Sequence, residues 1–509
     1  MSVIDEFMAA GPPPPAPAPP PTEEQQAIVD AFGTGEPIIV RAGAGTGKTT
    51  TLELLANSAT GRRGRYLAFN KSIATEAERR MPRSCAVSTI HSLAWHAVIK
   101  PDPELRHRLD NGQRVRSGEI ARALGIEPIS LRLPLGRKWF DGWRLAGLVL
   151  RALEVFCQSG DEVPGPEHVE RFPGCDEASH QELADHLAPY LVAAWADLQR
   201  PTGTLQYKHS HYLKAFALRH PQLGVDYLLF DEAQDASELM IRLCEEQEGT
   251  QLVWVGDENQ AIYGWAGAVD ATRRAAGTRL SLTQSWRFGP AVADAANQVL
   301  ETIGSDLRLS GNPGRPSVVG PLDEPARAVL CRTNARTVTE VIETVDAGRR
   351  PHLVGNGRDV LDFAYGAGDL QQGKKASHPD LVCFDTWREV EAYVEEDAMG
   401  RELKLLVDLV KRFGVRGLVR VLQHELVPES EADVVISTAH KSKGLEWDTV
   451  RLADDLTVEP DEATGDLPAE ELRLLYVAVT RARLGLDVGS VPLNADAMWD
   501  RWALTTGER

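Results

Sequence analysis

Ala42-Gly43-Ala44-Gly45-Thr46-Gly47-Lys48-Thr49 follows the apolar run Pro37-Ile38-Ile39-Val40 and precedes a helix-compatible segment from Thr50 to Asn57. Strand, glycine loop and helix in that order predict a phosphate cradle. Glycines let backbone N–H groups turn inward on an anion, and the helix that follows adds the positive end of its dipole. In this reading Gly43, Gly45, Thr46, Gly47 and Thr50 line the cradle, Lys48 reaches the β- and γ-phosphates, and the Thr49 hydroxyl holds Mg2+. Ala42 stands where the usual pattern begins with glycine.

A second half-site fits the first. The apolar run Tyr227-Leu228-Leu229-Phe230 leads directly into Asp231-Glu232-Ala233-Gln234-Asp235. A carboxylate at a strand end can hold Mg2+, and the next acid can polarise an attacking water. Asp-Glu alone says little, but with a phosphate loop it predicts hydrolysis of a nucleoside triphosphate.

Outward from these motifs, β-like runs at 66–69, 86–88, 227–230 and 252–255 alternate with helical patterns, which predicts an α/β fold with a parallel sheet. The expected organisation is a proline-rich tail at 1–21, a first α/β domain at 22–99 and 223–278, and a helical insertion at 100–222. A second α/β domain without its own phosphate loop follows at 279–359 and 431–509, interrupted by a short accessory insertion at 360–430. Arg287 and Arg481 are its candidates for reaching across the cleft to the phosphates. Eight prolines within residues 11–21 exclude helix and sheet there and predict an extended tail.

Bulk charge argues against a nucleic-acid binder, with 55 Lys and Arg against 74 Asp and Glu, a net of −19. Distribution argues the other way. Residues 62–83 and 100–151 each carry a net charge of +5, whereas 452–472 holds eight acids and no base. Two basic runs near a phosphate loop predict a local track on an acidic body. The six cysteines form no C-x-x-C pair, which fits a reducing compartment. Without a long apolar run, a cytoplasmic protein with no membrane contact is expected.

The ordered series Gln25, AGAGTGKT, Ser88-Thr89-Ile90-His91-Ser92, DEAQD, VGDENQAIYGWAGA, SWRF, Cys331-Arg332-Thr333-Asn334, Thr438 to Trp447 and YVAVTRAR resembles the UvrD/Rep-type superfamily 1 DNA helicases across residues 22–490. The stretches 66–74, 207–214 and 443–455 look most like the F-box DNA helicase branch, although no F-box is visible. The resemblance implies two RecA-like parallel-sheet motor domains with a helical insertion in each. It further implies ATP and Mg2+ as cofactors, single-stranded and 3′-tailed duplex DNA as substrates, and recombination or replication proteins as candidate partners. Carried over by position, Gln25 reads adenine, Lys48 and Thr49 hold phosphate and metal, and Asp231 and Glu232 act as metal ligand and base. Gln260 senses the γ-phosphate, Trp286 stacks on adenine, Arg287 and Arg481 are fingers, and Glu446 meets the ribose. Phe69, Asn70, His91, Tyr263, Trp265, Thr438 and His440 face DNA. Ala266 departs from the arginine that often follows the aromatic at 265. The implied activity is ATP-driven 3′-to-5′ translocation and unwinding; the alternative is an ATP-gated remodeller that clears recombinase filaments without net unwinding.

Overall fold

The computed structural model describes residues 20–506 apart from 113–114, 134–135, 172–175, 265–266, 356, 375, 377, 379–380, 382–383, 385, 397–400 and 462–463. Most of the expected tail, 1–19, and the candidate DNA residue Trp265 therefore lie outside the described residues.

In chain order the strands are β1 (Ile38–Ala42), β2 (Gly64–Ala68), β3 (Cys85–Thr89), β4 (Ile129–Leu133), β5 (Gly136–Phe140), β6 (Tyr227–Phe230), β7 (Gln251–Gly256) and β8 (Thr278–Leu282). They continue with β9 (Val318–Val319), β10 (Ala328–Cys331), β11 (Pro351–Leu353), β12 (Val434–Thr438), β13 (Trp447–Leu452) and β14 (Ala482–Asp487). Two six-stranded sheets result, ordered β3-β2-β6-β7-β1-β8 and β11-β12-β10-β13-β14-β9. Every strand pair in both is parallel. Strands covered on both faces are buried along their whole length and read as near-continuous apolar runs. All four residues of β6 are accordingly buried, as are all five of β12.

Strand order fixes where the chemistry gathers. Because β6, β7 and β1 are neighbours and Arg41 pairs with Gly256, the phosphate loop, Asp231 and Asp257 all leave the same sheet edge. Ligands of open parallel sheets bind at that carboxyl edge.

The first sheet extends further than expected. Strand β8 pairs with β1, so the passage to the second sheet falls after Leu282 rather than after 278. The insertion at 100–222 is mainly helical, with long helices at Gly142–Gln158 and Glu177–Leu198. It also contains the antiparallel hairpin β4-β5. The hairpin is short and its alternation weak, so helical patterns on either side masked it.

Neither insertion stands apart from its sheet. Ile39, Leu67, Phe230 and Trp254 of the first sheet share one apolar core with Leu145, Phe156, Leu187 and Leu198 of the helical insertion. Likewise Val329, Cys331, Val434 and Ile436 share a core with Phe363, Trp387, Val407, Val410 and Leu418 of the accessory segment. That segment contains helices at Arg358–Gln371, Trp387–Glu396 and Arg401–His424, the last kinked where Gly414 takes φ 67°. Among the described residues no helix is long and apolar enough to cross a membrane.

Candidate nucleotide site and nucleic-acid track

Ala42 ends β1 in strand geometry, paired with Leu282, so alanine meets the backbone demand at that position. The following loop needs its glycines for two different reasons. At Gly45, φ is +72°, and a Cβ there would stand 2.5 Å from the Arg287 Cβ and 2.8 Å from the Ser285 Oγ. Gly47, at φ +84°, precedes the helix Lys48–Ser58 in a left-handed conformation, which a side chain would strain. Thr46 Oγ1 donates to the Gly43 carbonyl at 2.9 Å, and Trp286 N donates to the Gly45 carbonyl at 2.8 Å. The loop is thus held from within and from the segment that leads to the second sheet.

Lys48 Nζ lies 3.0 Å from Glu232 Oε2. Burial alone would lower the Lys48 ammonium, but Glu232, Asp257 and Asp231 together raise it. Burial, with Glu232 beside it, pushes the Asp231 carboxyl up to about 6. Despite its own burial, Glu232 is held down at about 2 by Lys48 and Lys443, and it is therefore ionised at neutral pH. Burial also lifts Asp257 to about 6. The buried Asp231 and Asp257 and the partly exposed Glu232 consequently act on one ammonium. The Tyr66 hydroxyl contacts Asp231 and also the Thr49 side chain, which joins the two expected metal ligands through one phenol. An excess of oxygen ligands and negative charge suits a hard divalent cation such as Mg2+. Glu232 also takes φ 55°, a strained value for a non-glycine residue of the kind found at functional sites.

The second sheet reaches this centre directly. Arg481, almost fully buried, donates from Nη2 to Gln260 Oε1 at 3.2 Å, while Gln260 Nε2 donates to Asp257 Oδ2 at 2.6 Å. Burial, then the neighbouring Arg287, lowers the Arg481 guanidinium to about 9. Arg287 is held by Glu446 at 2.6 Å and by the Thr480 carbonyl at 3.2 Å. Trp286 stays 48% exposed. Its ring and the Gln25 amide both approach to 3.8 Å of where a Gly47 Cβ would stand. Gln25 is engaged locally, accepting from Thr22 N at 3.0 Å and donating to Thr51 Oγ1 at 3.3 Å. Thr50 is exposed and its hydroxyl accepts from Arg80 Nη2 at 2.9 Å.

Lys443 and Tyr476 belong to this centre without having been singled out. Lys443 Nζ bonds both Asp235 oxygens at 2.8 and 2.6 Å and the Gln260 carbonyl at 2.7 Å, and lies 5.0 Å from the Tyr263 ring centroid. The Tyr476 hydroxyl accepts from Ala44 N and donates to Asp257 Oδ2, both at 3.2 Å. Both residues sit inside the quoted motifs. Their polar chemistry was visible in sequence, but the partner strand was not.

The expected DNA-facing residues divide into three groups. Phe69 and Tyr263 stand as nearly parallel rings, 10° apart, with centroids separated by 6.5 Å. That spacing is about twice the ~3.4 Å rise of stacked bases. The Tyr263 hydroxyl donates to the His440 carbonyl at 3.4 Å, and both residues line an open cleft of about 830 Å3. Asn70 and Thr438 serve the backbone, and Thr438 also lines the cleft of Tyr263 and His440. Asn70 Oδ1 caps the helix Lys71–Glu78 through Ile73 N, and the buried Thr438 accepts from Lys441 N. His91 sits apart from the Tyr263 cleft, edge-on to Tyr212 at 6.4 Å, and is kept below the usual imidazole range by burial and then His209.

Three arginines of the basic runs turn to internal partners. Arg62 lies over the Phe32 and Tyr227 rings, Arg80 pairs with Glu53, and the buried Arg108 bonds Asp197 and backbone carbonyls. Internal partners absorb charge that the sequence left unassigned.

Comparison with known proteins accounts for this layout. Residues 25–266 match an AAA domain, and residues 433–487 match a UvrD-like helicase C-terminal domain. Over these two regions the chain is similar to the UvrD-like helicases. Among relatives of this UvrD-like chain, F-box DNA helicase protein 1 of Schizosaccharomyces pombe is 30% identical, over 88% of the chain and 55% of the relative. F-box DNA helicase 1 of Gallus gallus is 29% identical, over 88% and 47%. ATP-dependent DNA helicase UvrD2 of Mycobacterium tuberculosis is 28% identical, over 88% and 76%. The chain thus spans about half the length of the F-box relatives it matches.

Proposed function

We propose that this UvrD-like chain is an ATP-hydrolysing motor that translocates along single-stranded DNA from 3′ to 5′ and opens duplexes from a 3′ tail. The observation that carries this reading is the Lys443–Gln260–Arg481 junction. One residue of the first sheet, Gln260, is touched by two cations of the second, and Lys443 also lies over Tyr263 on the aromatic face. Nucleotide chemistry and strand contact are then linked by a few side chains. The DNA helicase names of the relatives support the choice of substrate.

In this reading the loop N–H groups and Lys48 hold the β- and γ-phosphates, and the ionised Glu232 accepts the proton of the attacking water. Thr49 and Asp231 would hold Mg2+, which when bound neutralises charge on the phosphate oxygens. Arg287 and Arg481 stabilise the charge of the transferring phosphoryl group, a contribution of about 10³ to 10⁵ in rate for arginine fingers. Because Arg481 comes from the other sheet, hydrolysis depends on the relative position of the two sheets. Phe69 and Tyr263 offer a slot for a base, and stacking of this kind is sequence-tolerant.

The test is ATP hydrolysis with single-stranded DNA, duplex DNA or RNA, followed by strand displacement on matched 3′-tailed, 5′-tailed and blunt duplexes. Stimulation by single-stranded DNA and displacement from the 3′ tail are expected. A 5′ preference would reverse the polarity, and stimulated hydrolysis without displacement of any substrate would favour filament remodelling.

A further inference from the structure

The cleft of about 830 Å3 is bounded by more than the expected DNA residues. Tyr263, His440 and Lys441 line it together with Leu405 and Leu406 of the accessory helix Arg401–His424. Lys441 Nζ donates to a neutral partner in the cleft, Asn334 Oδ1 at 3.1 Å. The apolar side is equally specific. Val407, Leu409 and Val410 of the same helix are buried in the core shared with the second sheet, whereas Leu405 is 42% exposed.

A single exposed leucine needs no explanation by itself. Here it borders a cleft that runs on from Tyr263 and whose charged lining is mixed, with Arg332 and Lys441 beside Asp359 and Glu470. Unstacked single-stranded nucleic acid presents apolar base faces as well as anionic phosphates. Cavities of about 300–1,000 Å3 enclose ligands of drug size, so there is room here for part of a strand.

We infer that the accessory insertion supplies the apolar wall of the single-strand path, with Leu405 and Leu406 packing against bases while Lys441 and His440 face the phosphates. The inference rests on the single-stranded DNA reading above and assigns binding residues beyond it. The wall is fixed. The helix that carries it shares its core with β10, β11 and β12, so it keeps its distance from Lys441 when the two sheets move relative to each other. Contact through aliphatic carbons is blind to base identity, which suits a tracking enzyme.

The experiment compares equilibrium binding of a base-bearing oligonucleotide and one of equal length carrying consecutive abasic sites, by fluorescence anisotropy. Wild-type protein, Leu405→Ala and Leu405→Trp are measured, with thermal unfolding as a check on folding. Leu405→Ala should weaken binding of the base-bearing strand about fivefold, the order expected for losing apolar contact, and leave the abasic strand unchanged. Leu405→Trp should tighten the base-bearing strand only. The slope of affinity against salt should stay at the wild-type value, because no phosphate contact is removed. If both variants keep the wild-type ratio between strands, or lose both strands equally, the inference is overturned. A wild-type protein that bound neither strand would overturn the underlying DNA reading instead.

Discussion

Lys48 faces Glu232 at 3.0 Å, with Asp231 and Asp257 also acting on its charge, so its removal takes away the cation on which these acids act. Lys48→Ala should abolish ATP hydrolysis while single-stranded DNA binding persists, because Phe69, Tyr263 and His440 are untouched. Phosphate release and anisotropy on the same preparation check this, and retained turnover would overturn the site. Its thermal midpoint should also fall, since a buried carboxylate that loses its partner costs about 3–5 kcal/mol. At this scale the sequence was legible where one stretch builds one feature. The loop glycines, Lys48 and the strand-end acids all stand where local pattern put them. Thr50 and Thr438 did not behave so simply, because a hydroxyl takes whichever partner the packed chain offers, Arg80 for one and Lys441 N for the other.

The accessory segment is the element whose character changed most between sequence and structure. The sequence marks it only as a short insertion at 360–430, whereas Phe363, 1% exposed, lies in the same core as Val329 and Ile436 of the sheet. Phe363→Ala should therefore destabilise the second sheet and the accessory helices together, by about 3–5 kcal/mol. Urea unfolding followed by circular dichroism should show one transition moved to lower denaturant. Loss of the accessory helices ahead of the sheet, in a separate step, would contradict the shared core. Periodicity marks a helix and its apolar side, but it cannot say which other element covers that side. The β4-β5 hairpin was missed for a related reason: five-residue strands carry too little alternation to compete with the strong helical patterns that flank them.

Across the whole molecule, the two sheets meet through Lys443, Tyr476 and Arg481, and coupling between them is the property the proposed motor needs. Lys443→Met keeps the apolar stem but deletes the bonds to Asp235 and the Gln260 carbonyl. Stimulation of hydrolysis by single-stranded DNA should fall at least about tenfold, since a hydrogen bond to a charged group is worth about 1.5–3 kcal/mol, with a smaller change in basal hydrolysis. Equal losses in both rates would assign Lys443 to the chemistry rather than to the coupling. The sequence by itself determined two parallel α/β domains, the phosphate loop in the first and the acids at its strand end. These are local matters of strand, turn and helix, settled within a few residues of one another. Only the tertiary structure decided that β8 completes the first sheet, that Arg62, Arg80 and Arg108 of the basic runs take internal partners, and that Lys443 closes on Asp235 across 208 residues of chain. Contacts of that separation depend on which surfaces are buried together, and no pattern along the chain records that.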